Sequence, residues 1–196
     1  MSAGPYMNTP LLLGPLELTD GRCGVGDSRR PGGSWVEFRP EGLYRHAPAR
    51  KPSEADELIP WPRIMLGISV YVGRGYPSKG GNFTIPGLLG GLPGLRGRGG
   101  GHLDMTLRHP YEDHSLGYDR HPHAYPVMDV AFLEQLLTRT VAAGEAHRLG
   151  DAAWLERVVG RLTPVRTWSA RGMRDAVAEA LRSEGVGSPP NTAGSS

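Results

Sequence analysis

The chain has 196 residues, of which 38% are hydrophobic and 21% charged, enough for one domain with a real core and too short for two large ones. Its net charge is +2, divided as 12 basic against 8 acidic residues in 1–100 and 10 against 12 in 101–196, a balance that argues against a polyanion partner such as nucleic acid. A single cysteine, Cys23, excludes an internal disulfide and a cage of thiolates around a metal. The longest apolar run, Ile64 to Val72, is too short for a membrane helix, so the expectation is a soluble, cytoplasmic protein.

Met1 to Pro10 carries little to bury and is expected to be a flexible N-terminus. From Leu11 to Val72 the pattern has period two. Leu16 and Leu18 flank Glu17, and Val36 and Phe38 alternate with Trp35, Glu37 and Arg39, as in half-buried strands. Pro40-Glu41-Gly42 reads as a turn joining that strand to Leu43-Tyr44-Arg45-His46 in a hairpin. Leu58 to Trp61 is a brief extended segment ended by Pro62. Arg63 to Val72 is the strongest strand pattern, with Ile64, Leu66, Ile68, Val70 and Val72 expected on one face.

Residues 73–101 hold 12 Gly and 3 Pro, costly to order and without a periodic face, and are expected to form a mobile insertion. They contain neither G-x-x-x-x-G-K-[ST] nor G-x-G-x-x-G, so a phosphate cradle is not indicated. The strand pattern resumes at His102 to His109, with Leu103, Met105 and Leu107 facing in. A partner strand is expected near Ser115 to Tyr118.

Three amphipathic helices follow. Asp129 is expected to cap the first, ending near Ala143, with Val130, Leu133, Leu137 and Val141 on its apolar face. Asp151 caps the second, with a stripe of Trp154, Leu155, Val158, Val159 and Leu162 before Pro164. Ser169 caps the third, which runs to about Glu184 with Gly185 at C′. The connector Thr163 to Ser169 is too long for a helix-turn-helix.

Strands followed by helices predict an α+β fold with an antiparallel sheet. Trp35-Val36-Glu37-Phe38, then Gly42-Leu43-Tyr44, then Leu58-Ile59-Pro60-Trp61-Pro62-Arg63-Ile64 leading into Ile68 to Val72, resembles bacterial pleckstrin-homology-like (PH-like) domains. The resemblance implies an antiparallel β-barrel or sheet over 11–143, closed by its C-terminal amphipathic helix; the helical pair at 144–184 lies outside it as an appendage, and 185–196, with little to bury, is expected to be a disordered tail. The resemblance also implies a scaffold or binding module, with no shared catalytic residues and no cofactor. The basic cluster with which some relatives hold phosphoinositides has only Arg29 and Arg30 as its counterpart. Arginine outnumbers lysine 20 to 2, the codon usage of a GC-rich genome, which suggests an actinobacterial source.

The densest polar stretch is Arg108-His109-Pro110-Tyr111-Glu112-Asp113-His114, continued by Tyr118-Asp119-Arg120-His121-Pro122-His123. Loops on a rigid scaffold concentrate binding residues, so Arg108, His109, Asp113, His114, Asp119 and Arg120 are the candidate site for a protein partner or small ligand. Imidazoles and carboxylates are also metal ligands. The alternative is therefore a metal-dependent hydrolase built on the hairpin 102–123, which would bring three or four of His102, Asp104, His109, Asp113, His114, His121 and His123 to one point. No pair has the His-Glu-x-x-His spacing, and local backbone bonding of the Asp and His side chains is the reading that the polar hairpin favours.

Overall fold

The computed structural model describes residues 11–47, 55–73, 100–165, 167 and 169–186; the insertion expected at 73–101 falls almost entirely outside them, as do Trp168 and most of the expected tail. Strands β1 (Leu11–Leu13), β2 (Leu16–Thr19), β3 (Arg22–Val25), β4 (Trp35–Arg39), β5 (Gly42–His46) and β6 (Glu57–Pro60) form a six-stranded antiparallel meander in that order. A 3-10 turn, Trp61–Arg63, leads into β7 (Ile64–Tyr71), which pairs with β8 (Gly101–Leu107), and β8 with β9 (Glu112–Tyr118). The class is α+β, with two antiparallel sheets and three α-helices among the described residues. Among the described residues no ladder joins the sheets into a closed barrel.

The expected hairpin is present: Phe38 lies opposite Leu43 and Glu37 opposite Tyr44 across the Pro40-Glu41 turn. Strand β8 alternates as read, with Leu103, Met105 and Leu107 buried. β7 departs from its pattern. Met65 pairs with Thr106 and Ser69 with Asp104, so two residues, Leu66 and Gly67, are extra on β7. An extra pair preserves the inward facing of Ile64, Ile68 and Val70 while expelling Leu66, which is 83% exposed at φ 57°. Gly67, at φ 124°, takes the position where a Cβ would meet Thr138 at 2.7 Å. Leu66→Gly is therefore expected to raise stability by about 0.5–1 kcal/mol in urea melts, since the left-handed strain of about 1–2 kcal/mol exceeds the entropy cost of glycine.

Helix α1 (Val127–Ala142) lies along β7, and its Glu134 accepts the Val70 N–H at 2.8 Å, tying the helix to the strand. Its N-cap is Pro126 rather than Asp129. The fixed φ of proline starts the helix early and leaves Asp129 in the first turn, near the positive end of the dipole. The buried set is wider than the expected stripe, adding Phe132, Leu136 and Thr140 and leaving Val141 half-buried, because α1 is covered by β7 and by α3 (Ala170–Ser183) as well.

The caps of α2 (Ala152–Leu162) and α3 follow the sequence: Asp151 accepts from the Trp154 N–H and Ser169 from the Gly172 N–H. At the end of α3 the Gly185 N–H donates to Arg182 O and the Val186 N–H to Leu181 O, a Schellman closure with Val186 buried, so the helix motif takes in the first two residues of the expected tail. One buried cluster runs from Leu16, Val36 and Leu103 through Leu133 to Trp154 and Leu181. Another close approach is at Gly150, the end of the 3-10 turn Ala146–Gly150, where any Cβ would collide with the backbone of Arg39 and Pro40.

Candidate functional site

The six candidate residues do not converge. Asp113 and Asp119 are separated by six residues of extended chain, about 20 Å, which places Arg108, His109 and Asp113 at one end of the second sheet and Asp119 and Arg120 at the other. Asp119 is a tether: its Oδ2 accepts the Ser34 N–H at 2.9 Å, its own N–H donates to Ser34 O at 2.7 Å, and Arg30 lies 3.3 Å from its Oδ1. Arg120 donates to Val72 O at 2.6 Å. His114 faces Glu57 at 3.0 Å and joins β9 to β6. Asp113 accepts from Thr106 at 3.1 Å, and exposed His109 sits 5.9 Å from the ring of Tyr111.

Local bonding thus accounts for most of the set. His109→Ala is expected to leave stability within about 0.5 kcal/mol. His114→Ala, which removes a partner of Glu57 between the two sheets, should lower the urea midpoint by an amount equivalent to about 1 kcal/mol, in keeping with a half-exposed pair. As for the metal alternative, no three His, Cys, Asp or Glu residues among those described are placed to hold an ion. His102 lies 3.6 Å from Asp104, a pair that gains no third His, Cys, Asp or Glu ligand among the described residues, and His121 is bound elsewhere.

The binding of His121 is a feature that the sequence reading missed. Its Nε2 lies 2.9 Å from Glu17 Oε2 and its Nδ1 2.7 Å from the Tyr125 hydroxyl, which also accepts the His121 N–H at 2.9 Å. Glu17 Oε1 accepts the Ser28 N–H at 2.9 Å. All three side chains are buried. Burial pushes the Glu17 carboxyl up, but the hydrogen bonds from His121 and Ser28 outweigh it and hold the group below its ordinary value. The network fastens the segment before α1 to β2. Burial and the neighbouring His121 depress His123, which stacks on His121 at 5.3 Å. Cys23 is inert: burial first, then Glu156 and Asp151, push its thiol up to about 12.

On the outer face of the first sheet Glu37 is also satisfied, by Arg39 at 2.8 Å and His46 at 2.9 Å, while Trp35 stacks on His46 at 4.1 Å and Arg39 covers Tyr44 at 3.6 Å. These charges are spent on one another.

Arg108 differs. It stands at the rim of a cleft of about 530 Å³ where the β4–β5 turn, the 3-10 turn after β6, the start of β7 and the C-terminal end of α1 meet. Trp61, Ile64 and Ala146 form a buried apolar floor, and Pro40, Pro62 and Val141 form the walls. The indole N–H of Trp61 donates to Arg39 O at 2.8 Å, so its polar edge is engaged and its ring is left to pack. The rim is polar, with Arg108, Glu41 and His147. Arg63 nearby is paired with Glu112 at 3.2 Å, whereas the Arg108 guanidinium has no hydrogen bond or ion pair among the described residues. Comparison with protein-family models, with curated proteins and with solved structures gives no match to this chain.

Proposed function

We propose that this chain is a non-enzymatic, PH-like binding module that takes a protein segment or small ligand into the cleft beside Arg108. The order of elements supports it: antiparallel strands followed by an amphipathic helix packed on β7 agree with the strand-then-helix order that the resemblance around Trp35 to Val72 implies. The observation that carries the reading is the cleft itself. Its volume lies in the range of small-ligand sites, its floor is apolar, and it ends at a guanidinium that has no partner among the described residues.

The test is a ligand-observed NMR screen of the intact chain against a library of metabolites and short peptides, repeated with Val141→Trp, which fills the cleft from its half-buried wall. Compounds that bind the wild type and are lost in a folded Val141→Trp protein support the reading. A wild type that binds nothing, or whose ligands are indifferent to Val141→Trp and to a second block, Gly144→Trp, overturns it.

A further inference from the structure

We infer that the ligand of this cleft is a small molecule with an apolar body and a single carboxylate, held with the carboxylate on Arg108 and the body over Trp61 and Ile64. The inference rests on the reading of the cleft as a binding site and adds the chemistry of its occupant.

The floor sets the body of the ligand. Trp61 and Ile64 are 7% and 3% exposed, and with Val141 they offer an apolar surface with its polar edge already engaged. A hydrogen-bonding body would have nothing there to replace its water, and an apolar one gains about 25 cal/mol per Å² buried. The charges set the head group. A guanidinium presents two parallel N–H donors that match one carboxylate, and among the described residues the Arg108 fork has no partner. Elsewhere the guanidinium groups of Arg39 and Arg63 pair with carboxylates of this chain, Glu37 and Glu112.

The rest of the rim orients the anion and limits its charge. Glu41 and the C-terminal end of α1 at Gly144 add negative charge and partial charge to the lining and repel an anion placed beside them, which leaves Arg108 as the place for it. A phosphate, with more charge, needs a second fixed cation. The rim supplies an exposed histidine, His147, already 3.8 Å from Glu145. A monocarboxylate fits this balance, and an ammonium compound would meet Arg108 head-on.

Calorimetric titration of the whole chain with octanoate, 1-octanol and octylammonium at fixed ionic strength tests the assignment. Octanoate is expected to bind at least tenfold more tightly than 1-octanol, and octylammonium more weakly than either. Arg108→Gln should reduce octanoate to the affinity of 1-octanol while leaving 1-octanol unchanged. Equal binding of octanoate and 1-octanol, a preference for octylammonium, or octanoate binding that survives Arg108→Gln would overturn the carboxylate assignment and leave the cleft standing as an apolar site. If the screen finds peptides that need both the cleft and Arg108 while octanoate does not bind, the small-molecule assignment fails and the binding module remains. If neither octanoate nor any library compound binds in a way that Val141→Trp removes, both readings fall.

Discussion

Replacing Trp154 by Ala is expected to cost about 3–5 kcal/mol, the range for emptying a large aromatic site in a core. Trp154 is 2% exposed on the apolar face of α2, a helix that packs on β1, β3 and α3, so the void opens where helices and first sheet meet. For a chain of this length the loss corresponds to a fall in melting temperature of roughly 10 °C. The indole adds a second, less usual expectation. Its Nε1–H is buried with no hydrogen-bond partner among the described residues, a donor stripped of water without replacement. Trp154→Phe keeps most of the volume and removes that donor, so the relief of about 1–3 kcal/mol offsets part of the packing loss. The phenylalanine variant should therefore lie much nearer the wild type than the alanine variant in urea melts. Equal losses for the two would mean that the N–H is satisfied after all.

The sequence was most legible where a local signal decides the local structure. Alternation along Leu103, Met105 and Leu107 identified β8, and Asp151, Ser169 and Gly185 marked helix ends through bonds spanning a few residues. Legibility failed where distant chain decides. Period two runs unbroken through Leu66, and only the pairing of β7 with β8 shows that this leucine is expelled. The buried face of α1 was read as a narrow stripe because a helix covered on two sides buries residues that an amphipathic pattern assigns to the surface. The dense His and Asp stretch drew attention as a site, yet most of its groups bond to this chain, His114, Asp119 and His121 to the first sheet and its loops and Glu112, Asp113 and Arg120 nearer by. Arg108 was picked out with that stretch. The cleft that gives it a use is assembled from several segments between Pro40 and His147, and no contiguous motif announces it.

Glu17 and His121 show the same limit over 104 positions of sequence and lead to the other large expected effect. Removing one member of a buried, hydrogen-bonded pair leaves the other without compensation, so His121→Ala is expected to destabilise by about 3 kcal/mol, the low end of the range for such breaks, because Ser28 still bonds the carboxylate. Glu17→Gln keeps the shape and a hydrogen bond to the imidazole and should cost less at neutral pH. The pH dependence follows from the direction of the Glu17 shift. Its folded-state pKa lies below the ordinary 4.5, so on acidification the unfolded chain takes up the proton first. The stabilisation is therefore complete above the ordinary carboxylate range and disappears as pH falls through the lower, folded value. Glu37, also held below its ordinary value by Arg39 and His46 against the upward push of burial, adds acid sensitivity of the same sign, so the wild-type profile alone does not isolate Glu17. The difference between wild type and Glu17→Gln does. In urea titrations between pH 7 and pH 3 that difference should be constant from pH 7 to about pH 5 and shrink towards zero below the ordinary value of 4.5. A gap that stays the same down to pH 3 would mean that the carboxylate contributes through its shape and not its charge, and the buried pair would have to be read as a neutral hydrogen bond.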